Sequence, residues 1–241
     1  MIDLRRTPSI QHAVVLIGDT EADTIANIKR LEARKINISL NLGRRLFKPM
    51  MEGFTLDWAI TQCKLSRRPQ DIKPCIDLIT AFDRFARGKA VPWFRLFPKD
   101  YYPIGPSILM PINPHGFWAQ DGKLKLLWAQ SWKLATLSPL QKAIFNTILD
   151  QRVFVGDFKN ADLEWVDLRE QIKGKGRDIE ILSRSDLGLV SFDELKRYLD
   201  ILYAAFFSYS EEAKVKKAEE KSKAKPKPAP LIDGIEADPP A

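Results

Sequence analysis

The chain has 241 residues, 45% of them apolar, with 38 Lys and Arg against 31 Asp and Glu and a formal net charge of +7. Such a length and composition suit a globular protein with a full-sized core. They exclude a disulfide scaffold, because Cys63 and Cys75 are the only two cysteines and free buried thiols are the expected reading.

The charge is unevenly placed. Residues 29–99 hold sixteen cations and six acids, whereas residues 101–210 hold thirteen of each and residues 211–241 seven of each. Concentrated positive charge marks a surface for an anionic partner. The opening MIDLRRTPSI carries charge with no apolar run behind it, which does not fit a signal peptide. The longest apolar stretches, 13–17 and 201–207, fall far short of the roughly 18 residues needed to cross a bilayer. A soluble, cytoplasmic protein with no membrane contact is expected.

Along the chain, Ala13-Val14-Val15-Leu16-Ile17 before Gly18 reads as a buried strand. Thr20, with Asp23 three positions on, caps a helix whose apolar face is Ile25, Ile28 and Leu31. Ile36, Ile38, Leu40 and Leu42 alternate with Asn37, Ser39 and Asn41, the period of a strand, and would complete a βαβ unit. Pattern alone does not separate a short buried strand from buried helix, so an all-helical start stays open beside it. Leu56, Ala59, Ile60 and Cys63 predict one helix. Ile72, Ile76, Ile79 and Phe82 predict another that ends at Gly88.

From 91 to 118, prolines at 92, 98, 103, 106, 111 and 114 interrupt an aromatic-rich segment and forbid helix. Asp121-Gly122 between two apolar runs predicts a tight hairpin, since both central turn positions need positive φ. Ser138-Pro139-Leu140-Gln141 combines an N-cap, a proline in the first turn and a capping-box Gln, opening a helix to about 151. Strands are expected at 163–168 and 179–183 with the loop Lys173-Gly174-Lys175-Gly176-Arg177 between them. Ser191 and Glu194 then cap a last long helix on Leu195, Leu199, Leu202 and Phe206. After Tyr209 the composition turns to Glu, Lys, Ala and Ser. Helix can continue there with no face to bury, before a proline-rich end whose composition predicts disorder.

Motifs specific enough to name a reaction are lacking. His12, His115, Cys63 and Cys75 have no metal-ligand spacing. His115, between Pro114 and Gly116, is the only candidate base for a Ser or Cys nucleophile and reads more simply as a turn residue. The 173–177 loop offers backbone and cations to a phosphate but lacks the Lys-Ser ending of a P-loop, and reads as a solvated connection. Asp19, after Gly18, sits where a strand-end ligand contact would lie, or serves as a cap. Asp162 and Glu164 read as solvated charges on one exposed strand face.

The order helix, strand near Ile108, strand near Trp118, strand 124–130, helix, two strands resembles the core of the restriction-endonuclease-like nucleases. That resemblance implies an Asp on the second strand and Glu-x-Lys on the third, together holding magnesium. Asp121 falls near the first place. At the third strand Gln130-Ser131-Trp132-Lys133 departs from the motif, with Gln for the acid and Trp for the Lys.

The expected fold is α/β or α+β. It comprises a basic, mostly helical part (1–90, with a possible βαβ start), an aromatic and proline-rich connector (91–116), a small mixed sheet with two flanking helices (117–210) and a charged disordered tail (211–241). The expected function is a non-catalytic, nucleic-acid-associated accessory protein, with no cofactor, no metal and no catalytic residue. It would bind phosphates through Arg30, Arg34, Lys35, Arg44, Arg45, Lys48, Arg67, Arg68, Arg84 and Arg87, with Trp58, Phe85, Trp93 and Phe94 among them to stack on bases or to fill the core. The alternatives are a restriction-endonuclease-like metal-dependent nuclease or its inactive relative, and an assembly factor that meets a protein partner through the connector or tail.

Overall fold

A computed structural model describes residues 8–33, 38–89, 91–132, 137–170 and 176–223, and within them the fold is mixed α/β, as the sequence predicts. The apolar run 13–17 is helical rather than extended. Helix α1 spans Ile10–Leu16, and Ile10, Ala13, Val14 and Ile17 are all buried, the i, i+3, i+4, i+7 set of one helix face. Its continuous apolar character reflects burial on more than one side, which mimics a buried strand. Helix α2, Glu21–Glu32, begins where expected, with the Thr20 hydroxyl accepting from the Asp23 N–H at 3.2 Å.

The second expected strand does not form over its described residues, 38–42. Residues 38–40 have no regular structure and α3 spans Asn41–Arg45; residues 34–37 lie outside the described set. The physical reason lies at Gly43. A Cβ there would stand 3.1 Å from the Leu78 side chain and 3.7 Å from the Cys75 Cα, so tertiary packing of α3 against a later helix overrides the alternating pattern. The expected N-terminal βαβ unit is thus not formed by the described residues. Helices α4 (Phe47–Met51), α5 (Leu56–Lys64) and α6 (Pro69–Ala86) complete this half.

The proline-rich segment makes a two-stranded antiparallel ribbon, β1 (Asp100–Ile104) with β2 (Ile108–Ile112). Pro103 and Pro111 are tolerated because a ribbon has two open edges. A separate four-stranded sheet follows in the order β3-β4-β5-β6, from Gly116–Gln120, Lys123–Gln130, Asp162–Asp167 and Glu180–Leu182. β3 and β4 are antiparallel, β4 and β5 parallel, β5 and β6 antiparallel. The β4-to-β5 crossover carries α7, Pro139–Arg152, which opens with the predicted Ser138–Gln141 capping box. The last helix, α8, runs Phe192–Lys223 behind the Ser191–Glu194 box.

Both faces of this sheet are covered. Leu126, Trp128, Leu163 and Trp165 join a core with α1, α2, α7, α8 and the β1–β2 ribbon. Trp118, Leu127, Ala129 and Val166 join a second core with α3 to α6. On the first face Phe145 meets Trp128 and Trp165 edge-on, at 4.6 and 4.8 Å between ring centroids. On the second, Trp118 packs against Phe85 and Phe94. Of the four aromatics placed among the cations, Phe85 and Phe94 are therefore core. Glu164 is no solvated charge either: it is buried on the second face and held by Lys89 at 2.6 Å and Lys125 at 3.3 Å.

Element order departs from the nuclease-like pattern at one point. Among the described residues β2 pairs only with β1, and beside β3 there is a single antiparallel bridge, Arg95 with Phe117. The Asp-Gly hairpin forms as predicted, with φ of 52° at Asp121 and 71° at Gly122. Two residues of positive φ match the right-handed strand twist. Asp121→Ala is expected to cost about 1 kcal/mol, the lower end of the left-handed penalty for an L residue. Asp121→Asn should leave stability nearly unchanged. Urea unfolding of both variants checks this, and equal losses would remove turn conformation as the cause.

Candidate functional site

Of the ten cations singled out in the sequence, the eight that are described sit in different surroundings. Arg30 is exposed at the end of α2, in the layer opposite α3 to α6, and donates to Asn27 at 3.1 Å. Arg34 and Lys35 lie outside the described residues. Lys48 bonds Glu52 and the Phe94 carbonyl. Arg68 pairs with Asp71 at 3.3 Å and Arg87 with Asp83 at 2.6 Å. Arg84 reaches Asp178 and the Arg177 carbonyl. Arg45 and Arg67 are exposed. Arg44 turns inward.

Arg44 leads to a polar cluster at the carboxyl ends of the parallel strands β4 and β5, the end of an open α/β sheet where ligands bind. Its Nε and Nη2 donate to the Ser131 hydroxyl at 2.9 and 2.6 Å. Ser131 follows Gln130, the last residue of β4. Arg177, coming in toward β6, donates through Nη1 to the carbonyls of Ser131 and Leu168 at 2.9 and 2.7 Å. Two guanidiniums thus converge on one residue, and burial lowers the pKa of each. Arg177 is therefore not the end of a solvated loop.

Two histidines complete the cluster. His115 precedes β3, and its Nδ1 accepts the Ala129 N–H at 3.1 Å, which leaves the proton of the neutral ring on Nε2. His12, on α1, accepts from the Trp132 indole through Nε2 at 3.0 Å and faces the Ser9 hydroxyl through Nδ1 at 2.8 Å. Burial, and secondarily the Arg44 charge, hold His115 down to about 3 and His12 down to about 4. Both are neutral at physiological pH. Beneath them Gln11 links the Trp128 indole (3.1 Å) to Gln130 (3.2 Å). Beside Gln130 in register stands the buried Asp167, held by Arg169 at 3.3 Å.

Chemically the cluster is a set of donors. Arg44 Nη1, Arg177 Nε and Nη2, and His115 Nε2 have no hydrogen-bond partner among the described residues, and neither arginine has a carboxylate within 4.0 Å there. Arg44, Arg177 and His115 are each partly buried as residues, and desolvation is the largest influence on all three side chains.

Asp121 takes no part. It caps the hairpin at the far end of β4 from Gln130, seven residue steps or roughly 24 Å at the usual rise, so the two cannot share a metal ion. Burial pushes the Cys63 thiol up to about 11 and raises Cys75 as well; both are free and buried, poor material for a nucleophile. Among the described residues no helix is long and apolar enough to cross a membrane.

Sequence reasoning reached Arg44 as a surface cation and His115 as a turn residue. It missed His12, Ser131 and Arg177 as members of one site. The available signal was the strand end Gln130-Ser131-Trp132, which is polar where a core strand should stay apolar. The chain matches no protein-family model, no curated protein and no solved structure.

Because both histidines bind protons less readily folded than unfolded, stability is full above about pH 6.5 and falls as pH drops toward about 4. Each contributes a slope approaching 1.4 kcal/mol per pH unit, an order-of-magnitude figure. His115→Asn retains an acceptor for the Ala129 N–H and should remove about half of the combined slope. Urea unfolding at pH 7 and pH 5 tests this; a variant with the wild-type slope would show that His115 titrates normally.

Proposed function

We propose that the protein is a non-catalytic nucleic-acid-associated protein that meets phosphates through exposed cations of the α3–α6 layer. The observation that carries this reading is selective neutralisation. Arg68, Arg84, Arg87 and Lys89 have acidic partners, whereas Arg45, Lys64, Arg67 and Lys73 are exposed and have no carboxylate within 4.0 Å among the described residues. Lys64 ends α5, Arg67 lies in the turn to α6 and Lys73 in the early turns of α6. Arg45 ends α3, which packs on α6 where Gly43 meets Cys75. Cations left over near one helical corner suit a polyanion, whose bound counterions they displace. Phe54, 49% exposed, and Trp58 lie 4.6 Å apart at the start of α5 and offer rings on which unpaired bases can stack.

Changing Arg45, Lys64, Arg67 and Lys73 together to Gln is expected to flatten the dependence of log K on log salt by about 0.9 for each duplex phosphate that is no longer neutralised. Changing Arg84 and Arg87, already paired, should flatten it much less. Fluorescence anisotropy with duplex and single-stranded probes across a salt series measures both. An unchanged slope in the quadruple variant would overturn this reading.

A further inference from the structure

We propose that the Arg44–Arg177–His115 cluster at the carboxyl ends of β4 and β5 is an oxyanion pocket that takes the phosphate group of a phosphomonoester. The proposal stands apart from the surface reading above, since none of these residues belongs to the exposed corner.

Like charge is the first reason. Arg44 and Arg177 approach the same residue, one on the Ser131 hydroxyl and the other on its carbonyl, and the Arg44 charge disfavours charge on Arg177. Two desolvated cations with only neutral acceptors in contact are costly unless a counter-charge completes them. Asp77 and Glu170 act on Arg177 only from beyond ion-pair distance, and burial alone accounts for the lowered Arg44 pKa, with no acidic group opposing it among the described residues. A bound dianion supplies the missing charge.

Donor supply is the second. Each guanidinium spends part of its fork on the fold and keeps the rest: Nη1 on Arg44, Nε and Nη2 on Arg177. His115 is fixed with Nδ1 toward the Ala129 N–H, so its Nε2–H is a neutral third donor. Three separate side chains suit a tetrahedral group with three terminal oxygens, whereas a planar carboxylate is satisfied by one guanidinium fork. Placement is the third. Arg44 comes from α3, His115 from the residue before β3, Ser131 from the end of β4 and Arg177 from the approach to β6, so the three donors and the residue on which the arginines converge are set by four elements of the fold. Trp132, the residue after Ser131, is locked to His12 at 3.0 Å and has no indole donor left to offer.

The test uses the full chain and inorganic phosphate as the probe, with sodium acetate at matched ionic strength as the control. Calorimetry is expected to show saturable phosphate binding that acetate does not compete away. The imidazole nitrogen signals of His115 should shift on titration. Arg44→Gln and Arg177→Gln should each weaken binding about tenfold or more, as expected for loss of a charge-assisted donor, and Arg44→Lys should weaken it less. Arg45, Lys64, Arg67 and Lys73 changed together to Gln should leave phosphate affinity intact, so failure here and failure of the surface reading are separable. A 5′-phosphorylated oligonucleotide binding at least tenfold tighter than its 5′-hydroxyl counterpart would identify a strand end as the source of the phosphate. Equal binding of the two strands, with inorganic phosphate still bound, would identify a free phosphomonoester. Should an arginine variant fail to fold, the wild-type spectra decide alone. No saturable binding, or shifts away from His115 and Trp132, would overturn the proposal.

Discussion

Strand β4 is buried on both faces, and the rest of the molecule is arranged around that fact. Leu126 and Trp128 project into one core, Leu127 and Ala129 into the other. Because strand side chains alternate strictly, one eight-residue segment sets the registry of two helical layers. A strand has to be apolar where it is covered on both sides, so beyond Lys125 the next polar side chains appear only where β4 ends, at Gln130 and Ser131. The site is polar there because the backbone has left the sheet and its groups need new partners.

Those partners come from distant parts of the chain, which gives the cluster its electrostatic character. The Arg177 guanidinium satisfies the carbonyls of Ser131 and Leu168 just beyond the parallel pair. Arg44 satisfies the Ser131 hydroxyl from the helical layer above. Structural work done by guanidiniums leaves positive charge in a half-buried place. The neighbouring imidazoles respond by staying neutral, which keeps their ring nitrogens available as one donor and one acceptor each.

Much of this architecture was legible in the sequence, and the exceptions share a cause. The Asp121-Gly122 hairpin, the Ser138 and Ser191 capping boxes and the α5 and α6 faces are local signals, read within a few residues. The run 13–17 and the alternation 36–42 were read locally too, yet tertiary contacts set their conformation: α1 is buried on several sides and α3 is drawn against α6 at Gly43. The candidate site was the least legible part. His12, Arg44, His115, Ser131 and Arg177 are spread over some 165 positions of sequence, and only the sheet topology makes them neighbours. The uneven charge marked residues 29–99 as unusual. It could not tell that Arg44 points inward or that Arg68, Arg84 and Arg87 have acidic partners.

The buried Glu164, clasped by Lys89 and Lys125, bears on how the chain finds this arrangement. β5 pairs with β4 so that Glu164 stands opposite Leu127, on the face where both lysines wait. A slip of one residue in that pairing would carry Glu164 to the other face, among Leu126, Trp128 and Phe145, in a core of apolar side chains. An ionised carboxylate there is far costlier than any misplaced apolar group. The ion cluster therefore acts as a proofreader: it does little to favour the correct pairing over an unfolded chain, and much to penalise the nearest incorrect one. Lys89 follows closely on α6, so the same pairing that fixes β5 also fixes how the basic helical layer is seated on the sheet.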